Sequence, residues 1–179
     1  KDDFFGPMVS AAVYCNKEIE KKLFDMNILS SGQLEVFQLL RLAEDIKKHI
    51  PHSLVLMNPS SYNEVFDTVK DQSNMLAWGY AKVIGRVLEQ QSCPYALSTP
   101  FCDGAMIKAA LINSGKSVNI LQRREAFQNI AVIAAGVLAR AAFFESIDEI
   151  SKKFKADIPL GNKKNVIAVA KHLIDGYGQ

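Results

Sequence analysis

The sequence predicts a layered α/β domain in which a central mixed sheet is flanked by helices. Three observations predict it. Short apolar runs alternate with longer amphipathic stretches. Most runs end on Asn, Pro or Gly, residues that punctuate strands and helices. The length, 179 residues, suits one domain able to bury a core without disulfides or metal staples.

From Pro7 to Cys15 the run PMVSAAVYC is small, apolar and β-tolerant and stops at Asn16, which makes it a buried strand. Gln33 to His49 spaces Leu34, Phe37 and Leu40 near helical period, adds apolar residues from Leu42 to Ile46, and closes at Pro51, so an amphipathic helix is expected. Ser53 to Asn58 is a second strand, stopped by Pro59, and Asn74 to Gln90 a helix with Asn74 as N-cap. Tyr95 to Ser98 reads as a strand, Gly104 to Asn113 as a helix ended by Gly115, and Ser117 to Gln122 as another strand.

A long helix over Glu125 to Phe154 follows, its first half apolar enough to require burial and its end charged. Small residues at positions 131, 134, 135, 136 and 139 imply tight packing against another element. A loop at Pro159 to Asn162 then leads to a closing amphipathic helix, Asn165 to Asp175. No internal repeat or linker divides the chain, so one domain spanning 1–179 is expected.

Composition excludes several classes. Charged residues make up 22% and hydrophobic residues 49%, far from a disordered profile. A net charge of +2 is too small to argue for nucleic acid unaided. Cys15, Cys93 and Cys102 form no CxxC pair, which fits a reducing compartment and a cytoplasmic setting. No stretch is expected to span a membrane, and no leader is expected. His49, His52 and His172 are too scattered for a metal cage, and the first two are expected to cap a helix end. Phosphate-binding glycine loops, HExxH and GxSxG are absent.

Five stretches, taken in order, resemble one known family. DFFGP at Asp3 to Pro7, LAEDIKK at Leu42 to Lys48, NPSSYNEVF at Asn58 to Phe66, MLAWGYAKVI at Met75 to Ile84 and NIAVIAAGVLARAAF at Asn129 to Phe143 resemble ribonuclease HII and especially HIII. The resemblance implies a ribonuclease H-like fold with a further strand upstream of residue 1. It also implies a metal-dependent endonuclease that cuts the RNA strand of RNA/DNA hybrids, with Mg or Mn held by carboxylates. Two hard cations on carboxylate oxygens would activate water and stabilise the leaving oxygen of an in-line displacement.

Under the same resemblance, the family's first two acids precede Lys1. Its third falls on Thr99, with Phe101 matching a family Phe, and its fourth on Phe127 beside Ala126. The family's Asp-Ser-Lys reads Ser30, Ser31 and Gly32. A family Ser is Gly136, a Lys after Pro159 is Leu160, and a usual Gly is Asp2. Neither a threonine nor a phenylalanine replaces a metal-binding carboxylate. The expectation is therefore a catalytically degenerate module, a pseudoenzyme that needs no cofactor and binds nucleic acid or a protein partner. The alternative is an active endoribonuclease in which upstream acids together with Asp103 and Glu125 hold the metals.

Against that alternative, Asp103 also fits a helix N-cap and Glu125 a first-turn helix charge. Lys82, Arg86, Lys108, Lys116, Arg123, Arg124 and Arg140 could face phosphates or be scattered solvated charge. Arg140, Lys108 and Arg124 are the chosen nucleic-acid candidates, Arg140 because a charge in a buried helix needs a partner or ligand.

Overall fold

The computed structural model describes residues 3–161 and 164–177. Their elements run β1 (Met8–Val13), α1 (Lys17–Asp25), α2 (Val36–His49), β2 (His52–Met57), α3 (Pro59–Val69), α4 (Gln72–Gln90), β3 (Tyr95–Ser98), α5 (Gly104–Asn113), β4 (Asn119–Gln122), α6 (Ile130–Phe154) and α7 (Lys164–Tyr177). Two 3-10 segments, Ile28–Gln33 and Arg124–Gln128, precede α2 and α6.

Both kinds of strand pairing expected of a mixed sheet occur. β1 runs antiparallel to β2 with Met8 opposite Met57 and Val13 opposite His52. β3 runs parallel to β4 with Tyr95 opposite Asn119. Among the described residues these remain two separate two-stranded sheets, so the single central sheet that was expected is not closed.

Alternation along β1 explains how helices cover it on both faces. Ala11 and Val13 pack into a core built by Ile19 and Leu23 of α1, Leu39, Leu42 and Ile46 of α2, and Ala134, Val137, Leu138 and Ala141 of α6. Met8 and Ser10 point to α4 at Gly79, where a Cβ would stand 2.6 Å from Ser10 Oγ. The missing side chain is what lets helix and strand approach. A second core joins Ala77, Ala81 and Ile84 of α4 to Ile107 and Leu111 of α5.

Several boundaries and elements differ from the sequence expectation. Helices α1 and α3 were not foreseen. Pro59 ends β2 but also opens α3, because the first helical turn has no need of its N–H and Asn58 caps that turn by accepting from Ser61 N at 2.8 Å. Gln33 lies in the 3-10 segment, and α2 begins behind a capping box in which Gln38 accepts from Glu35 N at 3.2 Å. The N-cap of α4 is Asp71, not Asn74: Asp71 accepts from Ser73 N at 2.8 Å, and the Asn74 amide donates to it at 2.7 Å.

The long helix expected from Glu125 starts instead at Ile130, where the Asn129 side chain accepts from Ala131 N at 3.0 Å; Glu125 sits in the preceding 3-10 turn. β4 starts at Asn119 rather than Ser117. α6 is long and apolar enough to cross a membrane, contrary to expectation, yet here it packs on β1 and α2. His49 closes α2 within a basic last turn, whereas His52 lies in β2 with Nδ1 2.8 Å from the Ile50 carbonyl. Asp2 and Asn162 lie outside the described residues.

Candidate nucleic-acid interface

The carboxyl ends of the parallel pair β3 and β4 lead into Thr99 and, through a 3-10 turn, Phe127, the positions on which the resemblance puts the family's acids. β3 ends at Ser98, whose carbonyl accepts from Arg123 N at 3.1 Å and so extends the pairing one step past β4. Behind Ser98 the chain turns sharply, Phe101 N donating to Thr99 O at 3.0 Å, and Gln122 Nε2 holds the next stretch by donating to Cys102 O at 2.9 Å. The end of β3 therefore stands beside the 3-10 segment that carries Glu125 and Phe127. Open α/β sheets present ligand sites at this end of their strands.

Each side chain has a definite local role. Thr99 is half-buried and shares a side-chain hydrogen bond with Tyr80 of α4. Burial, and then the neighbouring Cys102, push the Tyr80 hydroxyl up to about 12, against which the Thr99 bond pulls slightly down. Burial likewise raises the Cys102 thiol, aided by the charge of Asp103. Asp103 is the N-cap of α5, accepting from Ala105 N at 2.8 Å. Glu125 is exposed, and Phe127 is 62% exposed, with its ring presented to solvent.

Magnesium and manganese take hard oxygen donors, carboxylates above all. Thr99 offers a neutral hydroxyl already bonded to Tyr80, Phe127 offers no donor, and one oxygen of Asp103 is occupied by the cap. Among the described residues no group of three or more His, Cys, Asp or Glu could hold a metal ion. Thr99 and Phe127 supply no carboxylate to a divalent cation; Asp103 and Glu125 are the acids on these two segments.

The basic candidates are dispersed. Arg140 is exposed rather than buried, contrary to the reasoning that selected it, and its Nη1 donates to the Ser31 carbonyl at 3.3 Å. It therefore ties α6 to the 3-10 segment before α2. Lys108 is exposed on α5 near Asp103, and Arg124 is exposed in the second 3-10 segment. Lys116 pairs with Glu89 at 3.1 Å, Arg86 donates to Leu54 O at 3.3 Å, and Lys82 lies 6.0 Å from the Trp78 ring centre. Only Arg123 and Arg124 adjoin the end of β3.

Sequence reasoning missed Asp3. Its carboxylate accepts from Gly161 N, and Phe4 N donates to Gly161 O at 3.2 Å, so the entry to β1 is fastened to the loop before α7. Gly161 has φ +90°, a conformation in which a side chain would be strained. Ser30, Gly32, Gly136 and Leu160 are all exposed.

A family model described as ribonuclease HII matches residues 1–178. The chain is 31% identical over its whole length to ribonuclease HIII of Protochlamydia amoebophila and 30% identical to that of Chlamydia felis. It spans 60% and 61% of those relatives' own lengths. Among solved structures, Bst-RNase HIII in complex with Mn2+ superposes with a TM-score of 0.90 at 21% identity, over 99% of this chain and 60% of that one. RNase HII of Archaeoglobus fulgidus, solved with PCNA, gives 0.79 at 22% identity, over 98% and 83%. The fold is therefore ribonuclease H-like, and the chain belongs to the ribonuclease HII family.

Proposed function

We propose that this chain binds RNA/DNA hybrids, the duplex on which ribonucleases HII and HIII act. The observation behind this reading is the family match along the whole chain, joined to the superposition on a ribonuclease HIII. As to activity, the comparisons favour metal-dependent endonucleolytic cleavage of the RNA strand. The matched relatives are named ribonuclease HIII, and one similar structure is a complex with Mn2+. On that reading Asp103 and Glu125 act beside acids from outside residues 1–179.

One specific observation favours a second reading, a catalytically degenerate module that grips hybrid or a protein partner without cutting. The resemblance puts the family's acids at Thr99 and Phe127; the first is hydrogen-bonded to Tyr80 while the second faces solvent. Each missing carboxylate weakens both metal binding and the balance of charge in the transition state.

The experiment incubates the natural polypeptide, with whatever flanks residues 1–179, with RNA/DNA hybrid and Mg2+ or Mn2+, and measures binding in parallel. Cleavage abolished by both Asp103→Ala and Glu125→Ala establishes the enzyme. Salt-sensitive binding without cleavage establishes the degenerate module, because phosphate contacts release counterions and weaken with salt. Failure to bind any hybrid overturns the proposal itself.

A further inference from the structure

β2 is an edge strand: among the described residues it pairs with β1 alone. The register fixes which of its peptide groups lie on the open side. Tyr14 N donates to the Pro51 carbonyl at 2.9 Å, and bonded pairs recur at every second residue of an antiparallel ladder. Ser53, Val55 and Met57 therefore turn their N–H and C=O groups to β1, while His52, Leu54 and Leu56 turn theirs outward. Such a row is a template for another strand.

Helix α4 reaches over that row with two side chains one turn apart. Arg86 Nη1 donates to the Leu54 carbonyl and Gln90 Nε2 to the His52 carbonyl, both at 3.3 Å. Matched spacing makes this possible. Four residues of helix rise about 6 Å and two residues of strand about 7 Å, so a helix antiparallel to β2 keeps step with its outward groups. α4 takes that direction, since 86 to 90 along the helix follows 54 to 52 along the strand. The same step carries Lys82 toward Leu56, but the Lys82 ammonium lies 6.0 Å from the Trp78 ring centre, and Leu56 is 40% exposed.

We propose that Arg86 and Gln90 stand in for a neighbouring strand and keep a second copy of this chain from pairing along β2. A second copy is the strand that this edge fits. Antiparallel pairing about a two-fold axis at Leu54 matches each outward N–H of one copy to an outward C=O of the other. The bonds from α4 occupy two of the three carbonyls that such pairing needs. Because Leu54 would lie on the axis, the two Arg86 guanidiniums would also be brought together, and like charges oppose pairing at an edge. The inference holds whether or not hybrid is bound or cleaved.

The test combines Arg86→Ala with Gln90→Ala in the natural polypeptide and follows sedimentation and amide hydrogen exchange against protein concentration. Two freed acceptors make the double variant associate about ten- to a hundredfold more tightly than the natural protein. As it associates, the Leu54 and Leu56 amides exchange more slowly, whereas in the natural protein their exchange does not depend on concentration. Adding Leu56→Pro restores the natural mass, because that N–H faces away from β1 and its loss spares the β1 ladder. If the double variant does not fold, Gln90→Ala alone gives a smaller change of the same sign. A folded variant whose mass matches the natural protein at every concentration overturns the proposal. So does association that leaves the Leu54 and Leu56 amides unprotected, or protection of these amides in the natural protein that dilution removes.

Discussion

Tyr80 of α4 and Thr99 at the end of β3 share a side-chain hydrogen bond. The bond links a core helix to the position on which the resemblance puts a metal-binding acid. A neutral hydroxyl partnered by a half-buried phenol stabilises a neutral site. Ionising the phenol there is disfavoured, since burial penalises the charged form.

Tyr80 therefore predicts an alkaline effect of definite sign. Its folded-state value is raised from the usual 10.0 to about 12, so the folded chain holds this proton more tightly than the unfolded one. The stabilisation is complete below pH 10 and is lost as pH rises toward 12. Tyr80→Phe should remove that dependence and, by deleting the bond to Thr99, cost about 1 kcal/mol at neutral pH. Denaturant melts at several pH values check both. An unchanged alkaline slope in the variant contradicts the assignment.

Restoring carboxylates asks whether the site's residues are what limits metal binding. Thr99→Asp with Phe127→Glu puts acids at both family positions, and Phe127 is exposed enough to accept one without disturbing the core. Calorimetric titration with Mn2+ should show tighter binding to the double variant than to the natural protein. Equal affinity would mean that the metal, if held, is held elsewhere.

Asp103 separates capping from catalysis. As N-cap of α5 it satisfies the Ala105 N–H, and Asp103→Ala should cost about 1 kcal/mol, whereas Asp103→Asn keeps the cap. Thermal melts check the stability difference. If Asp103→Asn abolishes hybrid cleavage while leaving stability intact, Asp103 is a catalytic residue and the cap is incidental.

Much of the fold was legible because burial imposes period and punctuation. β3 and α5 fell where expected, Tyr95–Ser98 and Gly104–Asn113, since turn residues bound both. α3 was illegible for a physical reason. None of its residues is buried, so no apolar stripe marks it, and Pro59 looks like a stop although it is the helix's first residue. α1 buries only Ile19 and Leu23 on an otherwise polar surface. Thr99 and Phe127 were readable as positions through the family's order of motifs. The bond from Thr99 to Tyr80 was not, because it joins residues from elements that only the fold brings together. Arg140 misled because an apolar helix was taken to be buried all round, while Gly136 and Arg140 stand exposed on one side of α6.

That one-sidedness of α6 leads to a final prediction about its opposite face. Leu138 is fully buried among α1 and α2, touching the core that Leu39 and Ile46 complete, so Leu138→Ala removes apolar area and leaves a cavity. The expected loss is about 2–5 kcal/mol, a large share of the ~5–15 kcal/mol typical of a domain. Phe37, on the outer side of α2 and 68% exposed, supplies the control. Phe37→Ser should change stability by no more than about 0.5 kcal/mol, as surface positions do. Urea melts of the two variants measure the contrast. Comparable destabilisation by both would contradict the placement of the core on the side of α2 that carries Leu39 and Ile46.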